Sequence, residues 1–412
     1  MKLLAILGLC AGALALRCIA ADEWPQFRGP DGQGRSDAID LPLTWSETEN
    51  VKWKSAIPGE GWASPVVSGS QIWMTTATDA GKSLRAVCVD FETGKLLKDV
   101  EVFHIETPRP KHPLNSYASP SPIIENGQLY VHFGNYGTAC LSTDTGMIVW
   151  QRQDLLFNDQ NNGPGGTPVL WKNHLIFSCD GTDVRFVIAL DKHSGKTVWK
   201  TDRSYKGDKP PNMPAYGTPL VANVNGMDQV VAPGTNRVAA YDPDTGKELW
   251  FVNYIGFSEA ARPIFGDGLL YVSAGHTRTL YAIRPDGAGD ITSPGVVWKT
   301  NQQACQMPSP VLVGNRFYMI GDDTGVASCL DSATGREIWK EKIGGKFCAS
   351  LLAAGDRVYF FDRDGLTTVV GAGDSFKVLA KNQLESGFMS SAAVAGKALV
   401  LRTKTHLYRI EK

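Results

Sequence analysis

The sequence predicts an all-β chain, an eight-bladed β-propeller of four-stranded antiparallel blades whose ring is closed by an N-terminal strand. Three observations predict it. A turn that usually reads Asp-x-x-Thr-Gly-Lys, with a tryptophan a few residues later, recurs every roughly 40 to 55 residues, a period that marks propellers and solenoids. Its clearest copies run from Asp144-Thr145-Gly146 to Trp150, from Asp191 through Gly195-Lys196 to Trp199, from Asp242 through Gly246-Lys247 to Trp250, and from Asp331 through Gly335-Arg336 to Trp339. Each repeat also opens on a small residue, usually Ser or Thr followed by Pro, and continues as short apolar strands. The last repeat is incomplete in a way that an N-terminal strand can repair.

Taken in order, residues 1–21 read as a secretory signal peptide: Met1-Lys2, an apolar run from Leu3 to Leu16, then Arg17-Cys18-Ile19-Ala20-Ala21. The run is short for a membrane span. This implies a periplasmic or secreted protein with no transmembrane span in the mature chain. Cys18 follows the bulky Arg17, a poor match to a lipid-acceptor signal. Residues 22–44 form an N-terminal extended segment, and 45–412 the propeller.

Aligning the opening residue gives eight copies, at Ser64, Ser121, Thr167, Thr218, Arg262, Ser309, Ser350 and Ser391. Within a copy, stretches such as Ser309-Pro310-Val311-Leu312-Val313-Gly314-Asn315-Arg316-Phe317-Tyr318 supply two strands and a Gly turn. A third strand such as Val187-Ile188-Ala189-Leu190 leads into the Asp/Thr/Gly turn and the Trp-bearing fourth strand. The eighth copy ends near Ile410 without that strand. Asn50-Val51-Lys52-Trp53-Lys54 matches the missing pattern and removes the open edges; seven blades is the alternative count. The turns are structural: Asp and Thr bond the backbone, Gly supplies a positive φ, and the Trp lies between blades.

Composition excludes several functions. With 412 residues, 43% hydrophobic content and a formal net charge of −1, the chain has no overall electrostatic bias toward nucleic acid. Cys88, Cys140 and Cys329 share one repeat column with Ala189 and Ala240, which calls for a small buried side chain. A Cys305–Cys348 disulfide is open in an oxidising compartment. There is no CxxC motif, His cluster, nucleophile elbow or phosphate loop, so no metal site and no catalytic residue is assigned. Asp322-Asp323 and Asp362-Arg363-Asp364 lack the rest of an EF-hand and fit turns between second and third strands.

Binding residues are sought where the repeat meets the channel mouth. Residues two positions before the aligned column should ring it: Trp62, Ser119, Gly165, Tyr216, Ala260, Met307, Cys348 and Met389. Arg262 breaks the Ser/Thr column and calls for Glu259 or an anionic ligand as its partner. Arg262, Glu259, Trp62, Tyr216 and Met307 are therefore the ligand-binding candidates. Long early loops supply partner candidates: Arg109, Lys111 and His112 in residues 104–113, and Lys206 and Lys209 in residues 203–211; a third loop, 158–166, is amide- and Gly-rich. One sector of the mouth should be built up and positively charged.

The Asp-x-x-Thr-Gly-Lys-x-x-Trp repeat resembles the tryptophan-docking motif of the pyrroloquinoline quinone (PQQ) repeat propellers, over roughly residues 45–412. Trp24-Pro25-Gln26-Phe27-Arg28-Gly29-Pro30-Asp31-Gly32-Gln33-Gly34 also resembles the start of exported members. The resemblance implies one of two functions. One is a non-catalytic scaffold, expected as a monomer, that binds an envelope protein, a peptide or a small ligand, as outer-membrane assembly factors hold partners. The other is a PQQ- and calcium-dependent alcohol dehydrogenase, with an Asp base and a vicinal disulfide. The chain has no Cys-Cys pair and no long blade insertions, so the scaffold is the expected function, with no cofactor.

Overall fold

The computed structural model describes residues 23–203, 213–301 and 304–412. The segment read as a signal peptide, and Lys206 and Lys209, therefore lie outside the described residues. Eight antiparallel four-stranded sheets form the eight blades of a propeller. The innermost strands of blades 1 to 8 are Val66–Ser68, Ile123–Glu125, Val169–Trp171, Leu220–Val224, Ile264–Gly266, Val311–Val313, Leu352–Ala354 and Ala393–Ala395. Each is short, and all but Ile264–Gly266 are mostly buried, as expected of strands that converge on an axis. The eighth blade takes its outer strand, Val51–Ala56, from the N-terminal side of the chain, paired antiparallel with His406–Ile410. Eight blades, closed in this way, replace the seven-blade alternative.

Two blades carry a fifth, parallel strand. Arg35–Ser36 lies along the inner strand of blade 7, and Gly289–Asp290 along the outer strand of blade 4.

The recurrent turn and tryptophan join neighbouring blades. The indole Nε1 of Trp53, Trp150, Trp199 and Trp298 donates to the carbonyl that follows the next blade's turn aspartate, at Phe91, Lys192, Pro243 and Ser332, over 2.8–3.0 Å. In the turn at Asp331, Oδ1 accepts the Thr334 N–H and hydroxyl at 3.0 and 2.7 Å. The turn glycine matters twice. Gly335 has φ +69°, and a Cβ there would also lie 2.6 Å from the Trp298 ring. Trp250 departs from the pattern because blade 5 lacks the turn: its Nε1 donates to Gln229 Oε1 within blade 4, at 2.7 Å. The small column faces these indoles, with Cys140 opposite Trp150, Ala189 opposite Trp199 and Cys329 opposite Trp339. All three small residues are fully buried.

The Ser/Thr column forms a directional ring of hydrogen bonds. Ser64 N–H donates to Ser121 Oγ, Ser121 to Thr167, Thr167 to Thr218, Ser309 to Ser350, Ser350 to Ser391, and Ser391 back to Ser64, all at 2.9–3.0 Å. Arg262 N–H donates to Ser309 Oγ, but Arg262 has no hydroxyl to receive Thr218. Each bond satisfies a buried backbone donor, which explains why the column is hydroxylic.

Candidate functional site

The N-terminal segment crosses one end of the channel. Trp24 exchanges backbone hydrogen bonds with Val67 of blade 1, and Pro25 accepts from Ile124 of blade 2. Gln33 Oε1 accepts from Phe265 of blade 5. Between these anchors Arg28 is buried, and its guanidinium donates to the carbonyls of Gln33, Ser309, Pro310 and Leu351. Burial, reinforced by nearby Arg262, lowers the Arg28 pKa to about 9. The segment therefore closes this end with a charge satisfied by carbonyl dipoles instead of a counter-ion.

Arg262 is part of that closure. Its Nε donates to Pro219 O at 3.1 Å and Nη1 to Phe27 O at 2.9 Å. Burial lowers its pKa to about 10. The expected pairing with Glu259 does not form. Glu259 is fully buried with both carboxyl oxygens free of hydrogen bonds, and burial raises its pKa well above the usual carboxylate range. The charged groups that act on it are Asp180, Arg203 and Arg185, not Arg262. Arg262 instead borders a cavity of about 330 Å³ with Gln26, Asp31, Gln33 and Asn223, on the closed side of the channel.

The other end is open. A cavity of about 480 Å³ is lined by all eight residues two positions before the column, and Phe27 of the crossing segment also borders it. Trp62, Tyr216 and Met307 are thus brought together around one space, while Arg262 and Glu259 are not. Two aromatic anchors are held by their polar atoms: Trp62 Nε1 donates to Leu114 O at 3.2 Å, and Tyr216 Oη donates to Asp159 O at 3.1 Å. The mixture of apolar surface and hydroxyls suits a small ligand or an extended segment.

The charged groups at the mouth are mostly engaged. Asp323 pairs with Arg278 at 3.2 Å and with Arg363 at 3.5 Å. In the first loop only His112 reaches the lining. Lys111 pairs with Glu60 at 3.0 Å, and Arg109 Nη1 donates to Phe157 O at 3.4 Å. The expected positive sector is therefore neutralised at Lys111 and bonded to a carbonyl at Arg109, while Lys206 and Lys209 lie outside the described residues. The two histidines of the lining are not joined to its hydroxyls: His112 Nδ1 accepts the Leu114 N–H, and His276 stacks on Phe257 at 4.8 Å. Among the described residues no group of three or more His, Cys, Asp or Glu could hold a metal ion.

The six described cysteines are free thiols, so the Cys305–Cys348 bridge is not formed. Cys305 is buried and does not line the cavity, whereas Cys348 Sγ lies 3.9 Å from Met307 Sδ within the lining. Phe27, His276 and Asn162 also border the cavity but were not candidates. Phe27 had no signal, since the crossing segment has no repeat.

Comparison with known proteins gives a consistent picture. The sequence matches the family described as "Outer membrane protein assembly factor BamB" over the overlapping windows 139–285, 183–318 and 288–375. No curated protein matches it significantly. Among solved structures it is similar to a europium-containing methanol dehydrogenase (12% identity, TM-score 0.70, covering 94% of this chain and 90% of that one). It is also similar to BamB from Moraxella catarrhalis (13%, TM-score 0.56, 81% and 98%) and to the quinohemoprotein alcohol dehydrogenase of Comamonas testosteroni (11%, TM-score 0.66, 94% and 80%). At these identities the likeness is one of fold.

Proposed function

Because the chain belongs to the PQQ-like β-propeller family, we propose that it is a non-catalytic scaffold of the cell envelope, holding a protein segment, a peptide or a small ligand in the open mouth. The observation that carries this reading is the cavity of about 480 Å³, open at one end and backed at the other by Phe27. Its aromatic anchors sit three blades apart around the ring, on blades 1 and 4. An extended segment entering there would bury apolar surface against Trp62 and Tyr216 and meet hydroxyls and backbone groups deeper in. Export through residues 1–21 would deliver the protein to the envelope. Among the described residues no helix is long and apolar enough to cross a membrane.

The alternative, a PQQ- and calcium-dependent alcohol dehydrogenase, fits the lining poorly. PQQ is a tricarboxylate, yet among the described residues the lining contains no Arg or Lys, and one carboxylate, Asp323, which is held by two arginines. A calcium ion would need six to eight oxygen ligands.

Affinity capture from an envelope extract tests the scaffold reading. The wild-type chain should retain a discrete partner, and Trp62→Ala should reduce its recovery at least tenfold with the melting temperature unchanged. Equal recovery by the variant would remove the mouth as the site. Incubation with PQQ and Ca²⁺ should give neither co-eluting quinone absorbance nor alcohol-dependent dye reduction; either signal would overturn the non-catalytic assignment.

A further inference from the structure

Three sulfur side chains stand side by side at the mouth. Met307, Cys348 and Met389 occupy the same repeat position on blades 6, 7 and 8, and all three line the open cavity. No other blade has sulfur at this position. Cys348 is also unlike the remaining described cysteines: the other five are buried, and three of those fill the small column, whereas Cys348 is partly exposed. Met307 and Met389 share that partial exposure.

The backbone holds these positions firmly. Two residues beyond the three sulfurs lie Ser309, Ser350 and Ser391, joined in series by ring hydrogen bonds of 3.0 and 2.9 Å. The buried Asp322 carboxylate accepts the Gln306 and Met307 N–H groups, both at 2.9 Å, and Asp322 O accepts Phe347 N–H at 2.7 Å. Phe388 N–H donates to Asp362 O at 3.0 Å. Each sulfur-bearing loop is thus fastened immediately beside its sulfur residue.

We propose that Met307, Cys348 and Met389 bind one soft monovalent metal ion, copper(I). The Met307 Sδ to Cys348 Sγ separation of 3.9 Å carries the geometry. An ion about 2.3 Å from each sulfur, with bonds about 120° apart, holds two sulfurs roughly 4 Å from each other. Thioether and thiolate donors select copper(I) over the harder divalent ions. Among the described residues the lining has one carboxylate, Asp323, already paired with Arg278 and Arg363, and Arg363 also faces the Cys348 thiol, where its charge favours the thiolate. On binding, the Cys348 thiol releases its proton to solvent and the thiolate neutralises the ion, while the two thioethers donate without change of charge. The bound ion is then neutral overall, which suits a partly buried position. This site goes beyond the scaffold reading: it shares the open cavity with Trp62 but takes none of its donors from that residue.

The test is anaerobic titration of the reduced full chain with copper(I) against a chromogenic chelator, together with X-ray absorption of the loaded protein. One equivalent should be withheld, with a first shell of three sulfurs. The Met307→Leu/Met389→Leu double variant keeps every thiol and should bind at least 100-fold more weakly; Cys348→Ser should lose the site. Equal retention by the double variant, or a first shell dominated by nitrogen or oxygen, would overturn the proposal. The absorption measurement needs no variant, so it decides the matter even if a substitution disturbs folding. Partner capture by the double variant is scored separately, so loss of copper with capture retained leaves the scaffold reading intact.

Discussion

His132 shows how a single buried ring couples stability to pH. Its Nδ1 lies 2.8 Å from Thr138 Oγ1, the ring packs on Phe177 at 4.7 Å, and burial lowers its pKa from 6.5 to about 4. The unfolded chain therefore takes up a proton as pH falls below about 6.5, while the folded chain resists until about 4. Stability is lost across that window, by roughly 3 kcal/mol at most for this group. Asp322 acts in the opposite sense. Burial raises its pKa to about 6, so the folded state protonates first and gains stability as pH falls from about 6 toward 4. The difference between parent and His132→Gln isolates the histidine: chemical denaturation should show a shallower loss between pH 6.5 and 4 in the variant. Parallel curves would contradict this account. Residue-scale partners were the least legible part of the sequence. The exceptional place of Arg262 in its column is visible, but its partners are the carbonyls of Pro219 and Phe27, which leave no side-chain signal.

The turn glycines separate two requirements that sequence reading merges. Gly335 and Gly314 both have positive φ, at 69° and 53°, but only Gly335 would bring a Cβ against an indole; nothing lies within 4 Å of one at Gly314. Gly314→Ala should cost about 1 kcal/mol for backbone conformation alone. Gly335→Ala should cost at least about 2 kcal/mol more, because the Trp298 ring must move from its packed position. Thermal or denaturant unfolding measures both, and equal costs would show that the indole contact contributes little. At this scale most of the fold was legible. The four-strand repeat, the closing strand around Trp53 and the mouth column all followed from spacing, since side chains at equivalent repeat positions occupy equivalent places around an axis. Trp250 shares a core cluster with Leu270, Val272 and Ile283 of blade 5, and only its hydrogen-bond partner departs from the other copies, because its own segment is regular and the irregularity lies in the blade that follows it.

Across the whole molecule, the interface between blades 4 and 5 is built differently from the others. Thr218 finds no hydroxyl on blade 5, and Trp250 finds no Asp-type turn there. The substitute is an outer stitch: Gly289–Asp290 pairs with the outer strand of blade 4, and Thr292 Oγ1 accepts Asn253 N–H at 2.9 Å. The sequence marks residues 22–44 as an extended segment but not its path across the channel, because residues 23–36 carry no period and their anchors lie on blades 1, 2, 5, 6 and 7. The broken hydroxyl ring has a consequence for amide exchange. Seven column amides are latched to the neighbouring blade, so their deuterium uptake should follow global opening. The Thr218 amide has no such latch and should exchange sooner, reporting motion of one seam while the rest of the circle stays shut. Uptake at Thr218 as slow as at Ser121 and Thr167 would mean that the outer stitch alone keeps that seam closed.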